Sequence, residues 1–195
     1  MLLEREMDPI QRYYNLIRRT DGEARRLTLL HGDAISCRPG CTACCANLTV
    51  FPVEFHAIHL AMTRAGIKLD VDAFDSSAAC GFLLGDRCRI YPFRPIICRT
   101  HGLPILYLSE PSDGPVWEVS FCELNFAGSE HLEFTDDTLL NIEQVNEELS
   151  RINRDFLTLA SGNGTEPPLR IPLKKLCGDR KSEVPRYQYD TDPTR

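Results

Sequence analysis

No stretch of the chain approaches the roughly 18 consecutive apolar residues of a membrane-spanning helix, because charged residues interrupt every apolar run first. The opening MLLEREMDPI also lacks the unbroken apolar segment of a secretory signal, since Glu4, Arg5, Glu6 and Asp8 fall inside it. A cytoplasmic protein with no membrane partner is expected. Basic charge is short as well. With 22 Lys and Arg against 28 Asp and Glu, the net charge is −6 and the pI about 5.4, a balance that disfavours a nonspecific phosphate-backbone binder, so no nucleic acid is expected. There is no G-x-x-x-x-G-K-[ST] or G-x-G-x-x-G loop to cradle a nucleotide cofactor, and no ordering of Ser, His and acidic residues that singles out a hydrolytic triad.

What the chain does have is cysteine, nine in 195 residues. In a reducing compartment a dense cysteine pattern points to metal or catalysis rather than to disulfides, and the odd count argues against a fully paired framework. The first cluster reads Cys37-Arg-Pro-Gly-Cys41-Thr-Ala-Cys44-Cys45. Tetrahedral zinc, with Zn–S of about 2.3 Å, needs sulfurs roughly 3.8 Å apart, and side chains three or four positions apart on a helical turn can converge to that distance. Cys41 can therefore share a metal with Cys44 or Cys45. If the segment is helical, Cys44 and Cys45 diverge by about 100°, so that one is spare or the pair serves two metal atoms. A helix opening at Cys41 would also lower the thiolate pKa values.

The second cluster is Cys80-Gly-Phe-Leu-Leu-Gly-Asp-Arg-Cys88-Arg-Ile-Tyr-Pro-Phe-Arg-Pro-Ile-Ile-Cys98-Arg. A hairpin through Gly85-Asp86 brings Cys80 near Cys88, and the turn after Tyr91 can return Cys98 toward them. Cys122 follows a second hairpin. Four thiolates around Zn²⁺ or a [4Fe–4S]²⁺ core leave a net charge of −2. Arg38, Arg87, Arg89, Arg94 and Arg99 interleave with the cysteines and can compensate it, Arg94 and Arg99 being nearest the Cys98 turn. His101, three residues past Cys98, is an alternative ligand or proton donor, with a local structural role as the plainer reading. His56 and His59 lie one helical turn apart without the Glu of an H-E-x-x-H arrangement. Cys177 stands apart and reads as a free thiol.

CRPGCTACC followed by CGFLLGDRCRIYPFRPIICR resembles the YkgJ-like cysteine-cluster family, the CxxCxxCC zinc- or iron-chelating domain, over about Ser36 to Phe126. Its pattern is a cysteine-rich start ending in Cys-Cys, another Cys, then Cys-x-Ile-Tyr-x-x-Arg-Pro-x-x-Cys-Arg and one more Cys. Cys37, Cys41, Cys44, Cys45, Cys80, Cys88, Cys98 and Cys122 fall on those positions, although the first interval holds three residues instead of two. The resemblance implies a metal-chelating or iron–sulfur protein. Eight matching cysteines exceed one closed four-ligand zinc site, which tilts the expectation toward an iron–sulfur cluster or iron with a redox or group-transfer role, an iron–sulfur oxidoreductase served by a protein or redox partner being one form of it. A zinc-stabilised interaction module and a thiol–disulfide oxidoreductase, the latter on the literal Cys41-Thr-Ala-Cys44 spacing, are the alternatives.

Around this constellation, Asp8-Pro9 predicts an N-cap and first helical position. One long helix, or two broken at Asp21-Gly22, should carry Ile10, Tyr13, Tyr14, Ile17, Leu27, Leu29 and Leu30. Asn47 to Phe51 reads as a short strand and Val53 to Ala65 as a helix capped by Gly66. Ile105–Leu108 and Val116–Ser120 predict a hairpin turned by Pro111 to Gly114, with a helical turn over Pro92–Arg99. Asp136–Leu159 is the clearest amphipathic helix, through Leu139, Leu140, Ile142, Val145, Leu149, Ile152, Phe156 and Leu159. The expected organisation is an N-terminal helical segment (1–35), a cysteine-cluster domain (36–126), a C-terminal amphipathic helix (127–162) and a linker and mobile tail (163–195). Together they make a small metal-stapled α+β fold with short hairpins between flanking helices.

Overall fold

A computed structural model describes residues 7–38, 40–67, 79–127, 133–160 and 169–177. The first helix, α1 (Pro9–His31), starts where the sequence predicts. Asp8 Oδ1 accepts from the Ile10 and Gln11 amides at 2.7 and 3.3 Å, and Pro9 occupies the first turn, where a missing N–H costs nothing. It runs unbroken through Asp21-Gly22, so a single helix leads toward the cysteines. Strand β1 (Thr49–Val50) ends at Pro52, where α2 (Pro52–Arg64) begins, and Gly66 at φ +67° lets the chain turn away.

Two hairpins follow as expected. In the first, β2 (Leu83–Leu84) and β3 (Arg87–Cys88) pair with Leu83 opposite Cys88. After a 3₁₀ turn over Tyr91–Phe93 comes the short helix α3 (Ile96–Thr100), which carries Cys98. In the second hairpin, β4 (Ile105–Ser109) pairs with β5 (Val116–Ser120), Ile105 opposite Ser120. Strand β6 (Leu140–Asn141) adds to β4 in parallel, and α4 (Ile142–Ala160) begins directly after it. The amphipathic helix thus starts six residues later than its hydrophobic pattern suggests. Leu139 and Leu140 are buried as expected, but Leu140 is buried through sheet pairing, a reminder that a short apolar run does not declare its own period.

Within 163–195, residues 169–177 build structure: β7 (Ile171–Pro172) pairs antiparallel with β1, and a 3₁₀ turn over Leu173–Cys177 follows. Ile171, Leu173 and Leu176 are buried. The tail expected from about Arg180, and the side chain of Cys177, lie outside the described residues.

The helices make one core. Ile10, Tyr13 and Leu16 of α1 pack with Val53 and Ala57 of α2, Ile96 of α3, and Leu149, Ile152 and Phe156 of α4. A second core gathers Val50, Phe55, Ile58, Met62, Phe82, Ile90, Ile171, Leu173 and Leu176, and Cys80, Cys88 and Phe93 pack on its edge. Glu54, only 3% exposed, joins three helices. Its Oε2 accepts from the Phe51 amide at 3.1 Å and its Oε1 from the Ile96 amide at 3.1 Å and the Tyr13 hydroxyl at 3.4 Å. A buried carboxylate is tolerable only when so satisfied, and this one fixes the start of the helix that bears Cys98. The architecture is α+β, with helices at both ends of a cysteine-rich region of short sheets. Among the described residues no helix is long and apolar enough to cross a membrane.

Candidate metal centre

The first cysteine cluster is built of turns. Cys41 N–H donates to Arg38 C=O at 3.0 Å and Cys45 N–H to Thr42 C=O at 2.9 Å, with no helix between. The helix considered for Cys41 to Cys45 is therefore absent, and with it the helix-terminal field that would have favoured thiolates. Gly40, at φ +95°, keeps this turn tight, since a Cβ there would stand 3.3 Å from Asp86 Oδ2.

The fold draws the remaining cysteines to the same side. Cys80 and Cys88 flank the β2–β3 hairpin, where Leu83 N–H donates to Cys80 C=O at 3.1 Å. Cys98 enters from α3, its amide bonded to Pro95 C=O at 3.1 Å. Six of the eight, Cys41, Cys44, Cys45, Cys80, Cys88 and Cys98, line one cavity of about 410 Å³ whose wall includes Phe82, Ile90 and Leu173 of the apolar core. Arg38, Arg87, Arg94 and His101 also line it. Cys37 and Cys122 lie behind it, against Gly102. A Cβ on that glycine would be 2.8 Å from Cys37 Sγ and 3.6 Å from Cys122 Cβ.

All eight are free thiols of intermediate exposure. Burial, and then the neighbouring cysteines, push Cys45 up to about 11 and Cys98 up to about 12. Cys37, Cys44 and Cys88 are raised chiefly by burial too. Such a cluster resists ionisation until a cation is supplied, and a bound metal cation inverts that balance by deprotonating its thiols outright.

The arginines divide. Arg99 is committed to the protein frame, donating to Asp21 Oδ2 at 2.6 Å, Arg94 C=O at 2.7 Å and Pro92 C=O at 3.0 Å. Arg94 stands over the Tyr91 ring at 3.8 Å, its Nε buried without a hydrogen-bond partner. Its positive charge favours the ionised form of Cys88. An orphaned buried donor beside a thiol set fits a site completed by negative charge. His56 packs against the Phe156 ring at 5.5 Å, and neither it nor His59 lines the cavity.

Among the described residues, no three His, Cys, Asp or Glu side chains stand close enough, as they are turned here, to hold a metal ion. The donor set fits a thiophilic metal by its chemistry, eight soft sulfurs with Arg94 unpaired beside them, and chelation would require cysteine side chains to turn inward about χ1.

Residues 36–116 match the CxxCxxCC family model, described as a "Putative zinc- or iron-chelating domain". This is the family the cysteine pattern resembles. No curated protein and no solved structure matches the chain. The CxxCxxCC match assigns metal chelation to less than half of the chain and ends before Cys122, which the fold nevertheless returns to Cys37. The residue that sequence reasoning missed is Asn125. It is 2% exposed, and its Nδ2 donates to Gly102 C=O at 2.5 Å and Cys37 Sγ at 3.6 Å, while its Oδ1 accepts from the Ser36 amide at 2.9 Å. Only its position three residues past Cys122 in the sequence hinted at it.

Proposed function

We propose that this chain is an iron–sulfur protein in which the eight motif cysteines supply the thiolates. The observation that carries the reading is the number of thiols: six of them surround one cavity, more than the four ligands that one closed zinc site takes. Sulfurs around one zinc must come within roughly 3.8 Å of each other, as its Zn–S distance of about 2.3 Å dictates. A [4Fe–4S] core instead spreads four thiolates over four irons, so its sulfurs need not converge on one atom. Once bound, such a centre supplies one-electron redox chemistry. The chain's own residues hold and tune it: the apolar wall of Phe82, Ile90 and Leu173 limits water, and Arg94 offsets negative charge at Cys88.

Burial raises the pKa of Cys44, which counts against the dithiol-exchange alternative, since that needs a reactive thiolate near neutral pH. Anaerobic purification followed by iron, zinc and acid-labile sulfide analysis, with an absorption spectrum, tests the proposal. Iron with matching sulfide and sulfide-to-iron charge-transfer bands are expected. Colourless stoichiometric zinc would replace it with the zinc-stabilised module, and a metal-free chain with a titratable disulfide with the oxidoreductase.

A further inference from the structure

The eight cysteines do not occupy equivalent surroundings. Cys37 and Cys122 share the Gly102 backbone: Cys122 N–H donates to Gly102 C=O at 3.3 Å, and a Cβ on that glycine would clash with Cys37 Sγ at 2.8 Å and touch Cys122 Cβ at 3.6 Å. Neither lines the cavity that Cys80, Cys88 and Cys98 share with Cys41, Cys44 and Cys45. Those three instead sit on the hairpin, and on α3 after the turn that follows it, with Cys80 and Cys88 against the Phe82 core. Between the two groups runs the turn of Cys41 to Cys45. Its adjacent pair, Cys44 and Cys45, joins the two groups, and both line the cavity.

We propose that the cysteines form two four-thiolate centres meeting at the Cys44–Cys45 peptide bond. Cys37, Cys41, Cys44 and Cys122 make one, Cys45, Cys80, Cys88 and Cys98 make the other, and Asn125 positions the first. This deepens the metal-chelating reading above and rests on it. The electrostatic surroundings divide along the same line. Cys37 has Cys122 and Cys41 as electrostatic neighbours and Cys44 has Cys37, Cys41 and Cys122, whereas Cys98 has Cys80, Cys88 and Cys45 ahead of Cys44. Cys45 senses Cys44 first, as a chain neighbour must, and then Cys80 and Cys88.

The two centres have different supports. Asn125 ties the first together from three segments, through Ser36, Gly102 and Cys37, and its amide donates to Cys122 C=O at 2.8 Å so that its own backbone is bound in as well. An N–H donor to a ligating sulfur orients that ligand and moderates its charge. The second centre has instead the cavity, with Arg38, Arg87 and Arg94 around it. No ion pair among the described residues engages any of these three arginines. Cys41 and Cys44 of the first centre line the same cavity, so the two centres meet there.

The test uses the full-length, anaerobically loaded protein and two readouts, metal content per chain and thiol alkylation resolved residue by residue in the mass spectrometer. In Cys122→Ser and in Asn125→Asp, which keeps the acceptor for Ser36 but removes the donor shared by Cys37 and Gly102, metal should fall to about half. Alkylation should then appear at Cys37, Cys41 and Cys44 while Cys45, Cys80, Cys88 and Cys98 stay protected. Cys98→Ser should give the complementary pattern. An unchanged wild-type footprint in Asn125→Asp would remove its positioning role, and loss of protection at all eight in either Cys122→Ser or Cys98→Ser would overturn the division. Wild-type metal bound as a single centre would overturn the division alone. Wild-type protein that takes up neither iron nor zinc would overturn chelation itself, and the division with it.

Discussion

Gly102 shows how one missing side chain shapes the cysteine region. Its φ of +93° is one that L side chains rarely adopt, and the space a Cβ needs is taken by Cys37 Sγ at 2.8 Å. Gly102→Ala should cost about 1–3 kcal/mol from the strained backbone alone and displace Cys37, so that urea unfolding shifts and Cys37 becomes the first thiol to be alkylated in the metal-free chain. Unchanged alkylation of Cys37 would show that the crowding is relieved elsewhere. Glu54 yields a prediction of a different kind. Burial, opposed by its hydrogen bonds from the Phe51 and Ile96 amides, raises its carboxyl pKa. The folded chain then keeps this proton to higher pH than the unfolded chain does. The resulting stabilisation is complete below the unfolded value of about 4.3 and is lost as pH climbs through the raised folded value. Taking Glu54→Gln as a non-titrating reference, wild-type minus variant unfolding free energy should decrease as pH rises across that window, and a flat difference would contradict it. At this scale the cysteines were legible because spacing marks them. Asn125 and Glu54 were not, since their importance comes from amides that only the folded chain brings to them.

At the scale of elements, α4 is held by its contact with α1 and α2. Ile152 and Phe156 are fully buried among Ile10, Tyr13 and Val53, and Arg12 pairs with Asp155 at 2.5 Å and Arg19 with Glu148 across the same seam. Such exposed pairs add little, so packing should dominate. Phe156→Ala is expected to lower stability by about 3–5 kcal/mol, while Leu159→Ala, on a residue 67% exposed, should stay within about 0.5 kcal/mol. Denaturant titrations of the two variants followed by helical circular dichroism check the contrast, and equal losses would mean that the helix ends differently. The comparison also measures what periodicity can tell. The stripe from Leu139 to Leu159 correctly announced a helix, but its first residues serve β6 and its last faces solvent, because helical spacing alone does not say where a packing partner begins and ends. The hairpins were legible for a firmer reason: Gly85 and the Pro111 to Gly114 segment supply turns that few other residues make. The β1–β7 pairing was invisible, since two-residue strands joined across more than a hundred positions leave no local pattern.

The whole molecule combines two kinds of stabilisation. The helical core of α1, α2, α3 and α4 is apolar and closed on itself, whereas the described residues between Cys37 and Cys45 have neither helix nor strand, and Cys80 and Cys88 touch the second core only at its edge. Fixing such turns costs about 1–2 kcal/mol of backbone entropy per residue, which their few internal hydrogen bonds do not offset. In the proposed metal-bound form, metal–thiolate bonds supply the remaining order, and their binding free energy becomes folding free energy for the part of the chain they organise. Removing metal with a chelator under reducing conditions should therefore act unevenly. Amide exchange should rise first between Cys37 and Cys45, around the β2–β3 hairpin and through the Gly102–Cys122 contact, while the α1 and α4 amides keep their protection until global unfolding at a lowered transition temperature. Glu54 sharpens the expectation, because it anchors the start of α3 from inside the helical core: the Cys98 helix should loosen later than the Cys41 turn although both carry motif cysteines. Hydrogen exchange read by mass spectrometry, with metal removal verified on the same sample, decides it. Simultaneous loss of protection in α4 and the Cys41 turn would mean that the chain is a single cooperative unit with metal at its centre.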